Sequence, residues 1–186
     1  MKALDRFLQR WRIRMATPHV REGDRLLDIG CFDRSLIDRV LPRIASAVGI
    51  DAHLASPEKT DDRVELLRGE FPGNVRFGDA CFDAITLLAV LEHVDDPGLL
   101  ARECERILAP GGRVIVTVPH PLVDVALDVL MFVGLADGMA AEEHHGFDVR
   151  ETRRIFEAAG LRLQHQRRFQ LGLNRLYVFE KPLDAG

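Results

Sequence analysis

Arg25-Leu26-Leu27-Asp28-Ile29-Gly30 decides the fold: three aliphatic residues surround one acid, and a glycine closes the run. A stretch this short and apolar reads as a strand buried on both faces, with the glycine letting the chain turn sharply at its end. Residues 35–41 then suit a helix. Three more units repeat the pattern: 44–50, ending in Asp51; 64–68, ending in Gly69-Glu70; and 82–88, each an apolar run too short for a helix. A fifth run, Arg113 to Val118, is equally apolar. Strands without a wet face belong to a parallel sheet covered by helices on both sides.

The helix between the last two strands has its limits written locally. Asp95 or Asp96 supplies an N-cap, Pro97 the first position, and Pro110-Gly111-Gly112 the stop. Leu100, Cys104, Ile107 and Leu108 fall on one side of it, and Arg102, Glu105 and Arg106 on the other. A later helix opens at Asp148, with Glu151 three residues on, and closes at Gly160. Two adjacent closing runs, 161–169 and 175–181, predict an antiparallel hairpin at one edge. The expected fold is α/β: one doubly wound domain over 1–186 with a mostly parallel, seven-stranded sheet and an antiparallel edge strand. It carries an N-terminal helix (about 1–20) and an apolar insertion (about 122–143).

Composition narrows the function. With 186 residues, 47% hydrophobic and 29% charged, the chain is in the ordinary range for a soluble globular domain. A net charge of -4 offers no global attraction to a phosphate backbone, so nucleic acid is not expected as a partner. Cys31, Cys81 and Cys104 are odd in number and widely spaced, which argues against a disulfide framework and for a reduced, cytoplasmic setting. Arg10, Arg12 and Arg14 interrupt the start too early for a signal peptide, and no apolar tract is long enough to span a bilayer.

In a doubly wound sheet, ligands collect beyond the carboxyl ends of the strands. Asp28, Asp51 and Glu70 lie at or near such ends. A carboxylate ending the second strand, here 23 residues after Asp28, can accept hydrogen bonds from two ribose hydroxyls, which indicates a nucleoside. The turn Gly30-Cys31-Phe32-Asp33-Arg34-Ser35 lacks the glycines that let a diphosphate approach, and Asp33 adds a negative charge there. A nucleoside ligand with an amino acid group and no phosphate meets neither objection.

Leu27-Asp28-Ile29-Gly30-Cys31 resembles the first motif of class I S-adenosylmethionine-dependent methyltransferases (type 11-like). The likeness continues through Phe82 to Thr86, Leu91-Glu92-His93-Val94, Arg106-Ile107-Leu108-Ala109-Pro110-Gly111-Gly112, and His144 to Phe147 with Ala158 to Leu161. It implies a Rossmann-like methyltransferase fold, S-adenosyl-L-methionine as cofactor and a small-molecule acceptor. Carried over by motif, it assigns Asp28, Gly30 and Cys31 to the methionine end, Asp51 and Ala52 to the ribose, Glu70 and Phe71 to the adenine, and Leu88 to the floor beneath. A second register makes Asp79 the adenine acceptor. Phe32 and Arg34 depart from the family's small residues; Arg34 either meets the cofactor carboxylate or points to solvent.

The remaining polar residues allow competing readings. His120 and His145 are the candidate catalytic bases by topology, and a satisfied loop histidine explains each equally simply. Glu92, His93 and Glu142 to His145 could assemble a metal site, but Ala89 stands where a further carboxylate is needed, so no metal is expected. Tyr177 and Lys181 form a reductase-like Y-x-x-x-K in a strand-like segment, the wrong context. Arg6 to Arg14, interleaved with Phe7 and Trp11, fit a solvated helix face, an anionic ligand or peripheral contact with a membrane surface. Residues 122–136 read as a packed or dimer-forming helix, or as a lid over an apolar or lipid-linked acceptor. The alternatives to methyl transfer are a non-catalytic methyltransferase-like binding module and a nicotinamide-dependent oxidoreductase.

Overall fold

The apolar runs form one sheet in the computed structural model, which describes residues 3–54, 58–119 and 150–183. In chain order the strands are β1 (Arg25–Ile29), β2 (Ser46–Asp51), β3 (Glu58–Asp61), β4 (Val64–Arg68), β5 (Phe82–Leu88), β6 (Leu108–Pro119), β7 (Arg162–Phe169) and β8 (Asn174–Glu180). They lie side by side as β3-β4-β2-β1-β5-β6-β8-β7. β4, β2, β1, β5 and β6 run parallel, and β8 and β7 turn back antiparallel beside β6. The seven expected strands are therefore present in a methyltransferase-like order. The short β3 adds an antiparallel outer edge to β4 that apolar patterning could not reveal, since Glu58-Lys59-Thr60-Asp61 is wholly polar apart from its threonine methyl.

Two apolar cores cover the sheet. Helices α1 (Ala3–Ala16) and α2 (Ser35–Val40) bury Ile13, Ala16, Leu36, Ile37 and Val40 against Leu26, Ala47, Ile115 and Val178. On the other face, α3 (Pro97–Ile107) and α4 (Glu151–Ala158) set Leu100, Cys104, Ile107 and Phe156 on Leu27, Ile85, Val114 and Phe179. Fully burying side chains of this size contributes about 1.5–3 kcal/mol each. Asp96, not Asp95, caps α3, its Oδ1 accepting from the Leu99 amide at 2.8 Å. Asp148 lies outside the described residues.

Pro110-Gly111-Gly112 does not separate helix from strand as the sequence suggested. α3 ends at Ile107 and β6 starts at Leu108, with a register shift between Phe82 and Ala84 on the neighbouring β5 absorbing the irregularity. Gly111 takes φ +76° there, and its amide donates to the Lys181 carbonyl at 3.0 Å, tying the segment to the end of β8. The segment 122–143, together with His120 and His145, lies outside the described residues. Among the described residues, no helix is long and apolar enough to cross a membrane.

Candidate cofactor site

The carboxyl ends of β1, β2, β4 and β5 meet at one end of the sheet. The Gly30 and Cys31 amides both donate to the Ile50 carbonyl, at 2.8 and 3.1 Å, locking the first turn onto the end of β2. Asp51 completes the lock: Oδ2 accepts from the Phe32 amide at 3.0 Å and Oδ1 from the His53 amide at 2.8 Å. Each oxygen keeps a further lone pair, and the residue is only half-buried. A carboxylate held in this way is positioned before any ligand arrives, so binding need not order it.

Asp28 is buried, and in the β1–β5 register it faces Thr86, whose Oγ1 donates to Asp28 Oδ1 at 2.6 Å. Burial pushes the Asp28 carboxyl up to about 7; the Thr86 hydrogen bond opposes the rise, while Asp51 and Asp33 add to it. Loss of solvation disfavours the anion, and the neighbouring negative charges disfavour it further. What would restore ionisation is a cation close by. Thr86 was not foreseen as part of the site; the available signal was one polar residue inside an otherwise apolar run, level with the acid of the next strand.

Gly30 adopts φ +73°, and a Cβ at this position would collide with Val90 Cγ2, so two constraints exclude a side chain. Phe32 and Arg34 hold left-handed backbone without being glycine, at φ 47° and 54°. Arg34 pairs with Asp38 one helical turn on, at 2.8 Å. Asp33 Oδ1 accepts from the Ser35 amide at 3.1 Å, which starts α2, and from Gln9 Nε2 at 3.0 Å, which brings α1 to the site.

The other expected residues separate into groups. Glu70 is exposed just beyond β4, beside Asp51, whose carbonyl accepts from the Gly69 amide at 3.2 Å. Asp79 is at the opposite end of the sheet, ahead of β5, in an ion pair with Arg106. Ala52 is exposed and Leu88 half-buried at the ligand end. Cys31 and Phe71 turn their side chains into the core, Phe71 lying 5.8 Å from the Phe77 ring centroid. Burial pushes the Cys31 thiol up to about 12. Glu92 and His93 form part of a short 3-10 turn, Leu91–His93, after β5.

A doubly wound sheet with two acids gathered at the carboxyl ends of its first two strands defines a nucleoside-binding protein of the Rossmann-like type. Residues 2–166 match the methyltransferase domain family, and the chain belongs to it. The chain is 35% identical over 109 residues to the ubiquinone biosynthesis O-methyltransferase of Pseudomonas aeruginosa, covering 51% of this chain and 44% of that protein. The corresponding enzyme of Dechloromonas aromatica is 34% identical over the same length. The chain thus spans about half the length of the curated relatives it matches. Among solved structures, a chain of the complex between the Haloferax volcanii Trm112 methyltransferase activator and a methyltransferase superposes with a TM-score of 0.73 at 19% identity, covering 94% of this chain and 91% of its own. The Burkholderia thailandensis 1,6-didemethyltoxoflavin-N1-methyltransferase gives 0.70 at 18%, covering 93% of this chain and 77% of its own.

Family membership decides between the two nucleoside readings, against the nicotinamide oxidoreductase. The donor set suits the family's cofactor, S-adenosylmethionine. A buried acid near neutrality answers a cationic amino acid end, and a clamped carboxylate with spare lone pairs answers a diol.

Proposed function

We propose that the chain catalyses methyl transfer from S-adenosylmethionine to an oxygen of a small, apolar or lipid-linked acceptor. The observation that carries the reading is the joint placement of Asp28 and Asp51 on adjacent strand ends, with Asp51 already held by two amides. The name of the relatives, ubiquinone biosynthesis O-methyltransferase, supports oxygen as the methylated atom and a lipid quinone as the kind of acceptor. When bound, the cofactor supplies a methyl group made electrophilic by its sulfonium. The chain's residues hold and orient: Asp51 and Ala52 at the ribose, Glu70 rather than Asp79 at the adenine, Asp28 and the Gly30-Cys31 backbone at the methionine end. Phe71 acts from the core behind Glu70, and Leu88 lies beneath. Aligning two reactants in this manner can lower a barrier by about 7–11 kcal/mol. His120 and His145 are nominated on sequence position to take the acceptor proton.

The second reading, a methyltransferase-like module without catalysis, is favoured by one feature, the side chains of Phe32 and Arg34 in a first turn where the family carries small residues. Calorimetry with S-adenosylmethionine and S-adenosylhomocysteine separates the two. Binding of both, followed by formation of S-adenosylhomocysteine with a phenolic lipid acceptor, is expected. Absence of binding at millimolar ligand overturns methyl transfer and leaves the module.

A further inference from the structure

α1 carries a surface that the cofactor site does not use. Arg6, Arg10 and Arg14 repeat at every fourth residue along one exposed stripe, and among the described residues none of them is in an ion pair. Phe7 flanks the stripe and is 56% exposed, its ring packed edge-on against Trp11 at 5.6 Å. The adjoining side of the same helix buries Ile13 and Ala16 in the core. One face therefore anchors the helix while the other presents three unneutralised cations beside an aromatic pair, although the chain as a whole is at -4.

A second element extends this face. The β7–β8 turn is fixed to α1 by Gln170 Nε2, which donates to the Leu8 carbonyl at 3.0 Å. Its next residue, Leu171, is held at φ 57° with its side chain 97% exposed. Left-handed backbone is costly for a leucine, and here no burial offsets that cost. Of the five exposed large apolar side chains among the described residues, Phe7, Phe32 and Leu171 are all at the end of the sheet where the parallel strands finish. Gln9 fixes the helix to the Phe32 turn through Asp33.

We propose that this face of α1, with the β7–β8 turn beside it, docks the protein on an anionic bilayer surface and turns the ligand end of the sheet toward the lipid. Unpaired arginines attract anionic headgroups, and aromatic and aliphatic side chains next to them enter the boundary between headgroup and acyl chain. A second copy would bring the same three cations together and is disfavoured. The proposal goes beyond the methyl-transfer reading, and its test contains no cofactor or acceptor, so either can fail while the other stands.

Trp11 is the single tryptophan; half-buried against the core and edge-on to Phe7, it is a reporter beside the proposed surface. The full chain is mixed with vesicles of phosphatidylcholine alone, or with phosphatidylglycerol added, both carrying a dansyl lipid; energy transfer from Trp11 and co-sedimentation are read together. Binding to the phosphatidylglycerol vesicles that weakens with salt is expected, with little on phosphatidylcholine. Replacing all three arginines (Arg6→Gln, Arg10→Gln, Arg14→Gln) should lower partitioning roughly 100-fold, from about 1 kcal/mol per arginine, with the circular dichroism unchanged. Leu171→Asn should weaken it separately. No binding to anionic vesicles, equal binding to both kinds, partitioning unaffected by the triple variant, or a preference for single-stranded RNA over vesicles each overturns the proposal.

Discussion

Replacing Asp28 with Asn should stabilise the ligand-free chain at neutral pH while weakening its hold on the cofactor. In the folded chain the carboxyl is pushed from its ordinary 3.8 up to about 7. Each pH unit between these values is about 1.4 kcal/mol, so the gap corresponds to about 4 kcal/mol of stability. The folded chain holds this proton more tightly than the unfolded one. The contribution is therefore whole below about pH 4 and is lost as pH rises through about 7. Asn keeps a neutral group beside Thr86 and does not titrate. Urea unfolding of both chains across this window, without cofactor, should show Asp28→Asn gaining on the wild type as pH rises, by about 4 kcal/mol in total. Groups common to both chains, such as Asp83, which the Arg25 guanidinium holds below its ordinary range, cancel in the difference. Calorimetry with S-adenosylhomocysteine on the same pair should move the opposite way, because the cationic end of the ligand loses its carboxylate. Parallel stability curves would refute the electrostatic account of Asp28, and affinity unchanged by the substitution would remove Asp28 from the site.

Three further outcomes follow from the same geometry. Asp51→Ala should weaken S-adenosylhomocysteine binding at least tenfold, since hydrogen bonds to a charged acceptor contribute about 1.5–3 kcal/mol each; calorimetry reads it. Gly30→Ala should cost about 1–3 kcal/mol in urea unfolding, from left-handed backbone and collision with Val90, and Val90→Ala should recover only the collision. Of the three thiols, Cys31 and Cys104 are buried and pushed upward by that burial, so Ellman's reagent should promptly modify Cys81 alone in the native chain and all three in guanidinium.

What the sequence disclosed, and what it did not, divides along physical lines. β1 and β5 were legible because strands buried on both faces must be apolar nearly throughout, and α3 because its N-cap, proline and buried spacing agree. β3 was not, since Glu58-Lys59-Thr60-Asp61 carries no apolar residue to mark it. Asp28 and Asp51 were legible as acids at or near strand ends; the Asp28–Thr86 bond was not, because it depends on the register between strands distant in sequence. Likewise Glu70 and Asp79 could not be ranked from spacing alone, yet they fall at opposite ends of the sheet, and the ion pair with Arg106 engages only Asp79.

The two ends of the sheet also differ in how the chain treats strain. At the end where the parallel strands begin, left-handed turns fall on Gly23, Gly111 and Gly160, with Ala80 the one exception. The same end carries the buried Arg113–Asp24 pair, the Arg25–Asp83 pair and the Lys181–Glu105 pair, so its charges are matched. At the ligand end, Gly30 and Gly172 take positive φ as well, but so do Phe32, Arg34, Ala89, Gln170 and Leu171, with side chains attached. Glycine would relieve about 1–2 kcal/mol at each of these positions. A chain selected for stability alone would place glycine at these five positions too. Strain of this kind persists where surrounding contacts over-determine it, and it collects where function needs a side chain in a particular place. The contacts are present: Phe32 is held through Asp51, Arg34 through Asp38, and Gln170 through α1. The uneven distribution therefore marks the carboxyl end of the sheet as the working end independently of the two acids. It also gives the substitutions Phe32→Gly and Leu171→Gly a distinctive expectation. Each should raise stability in urea unfolding, with cofactor affinity falling for the first and vesicle binding for the second; a loss of stability in either would show that the side chain contributes packing that outweighs its backbone strain.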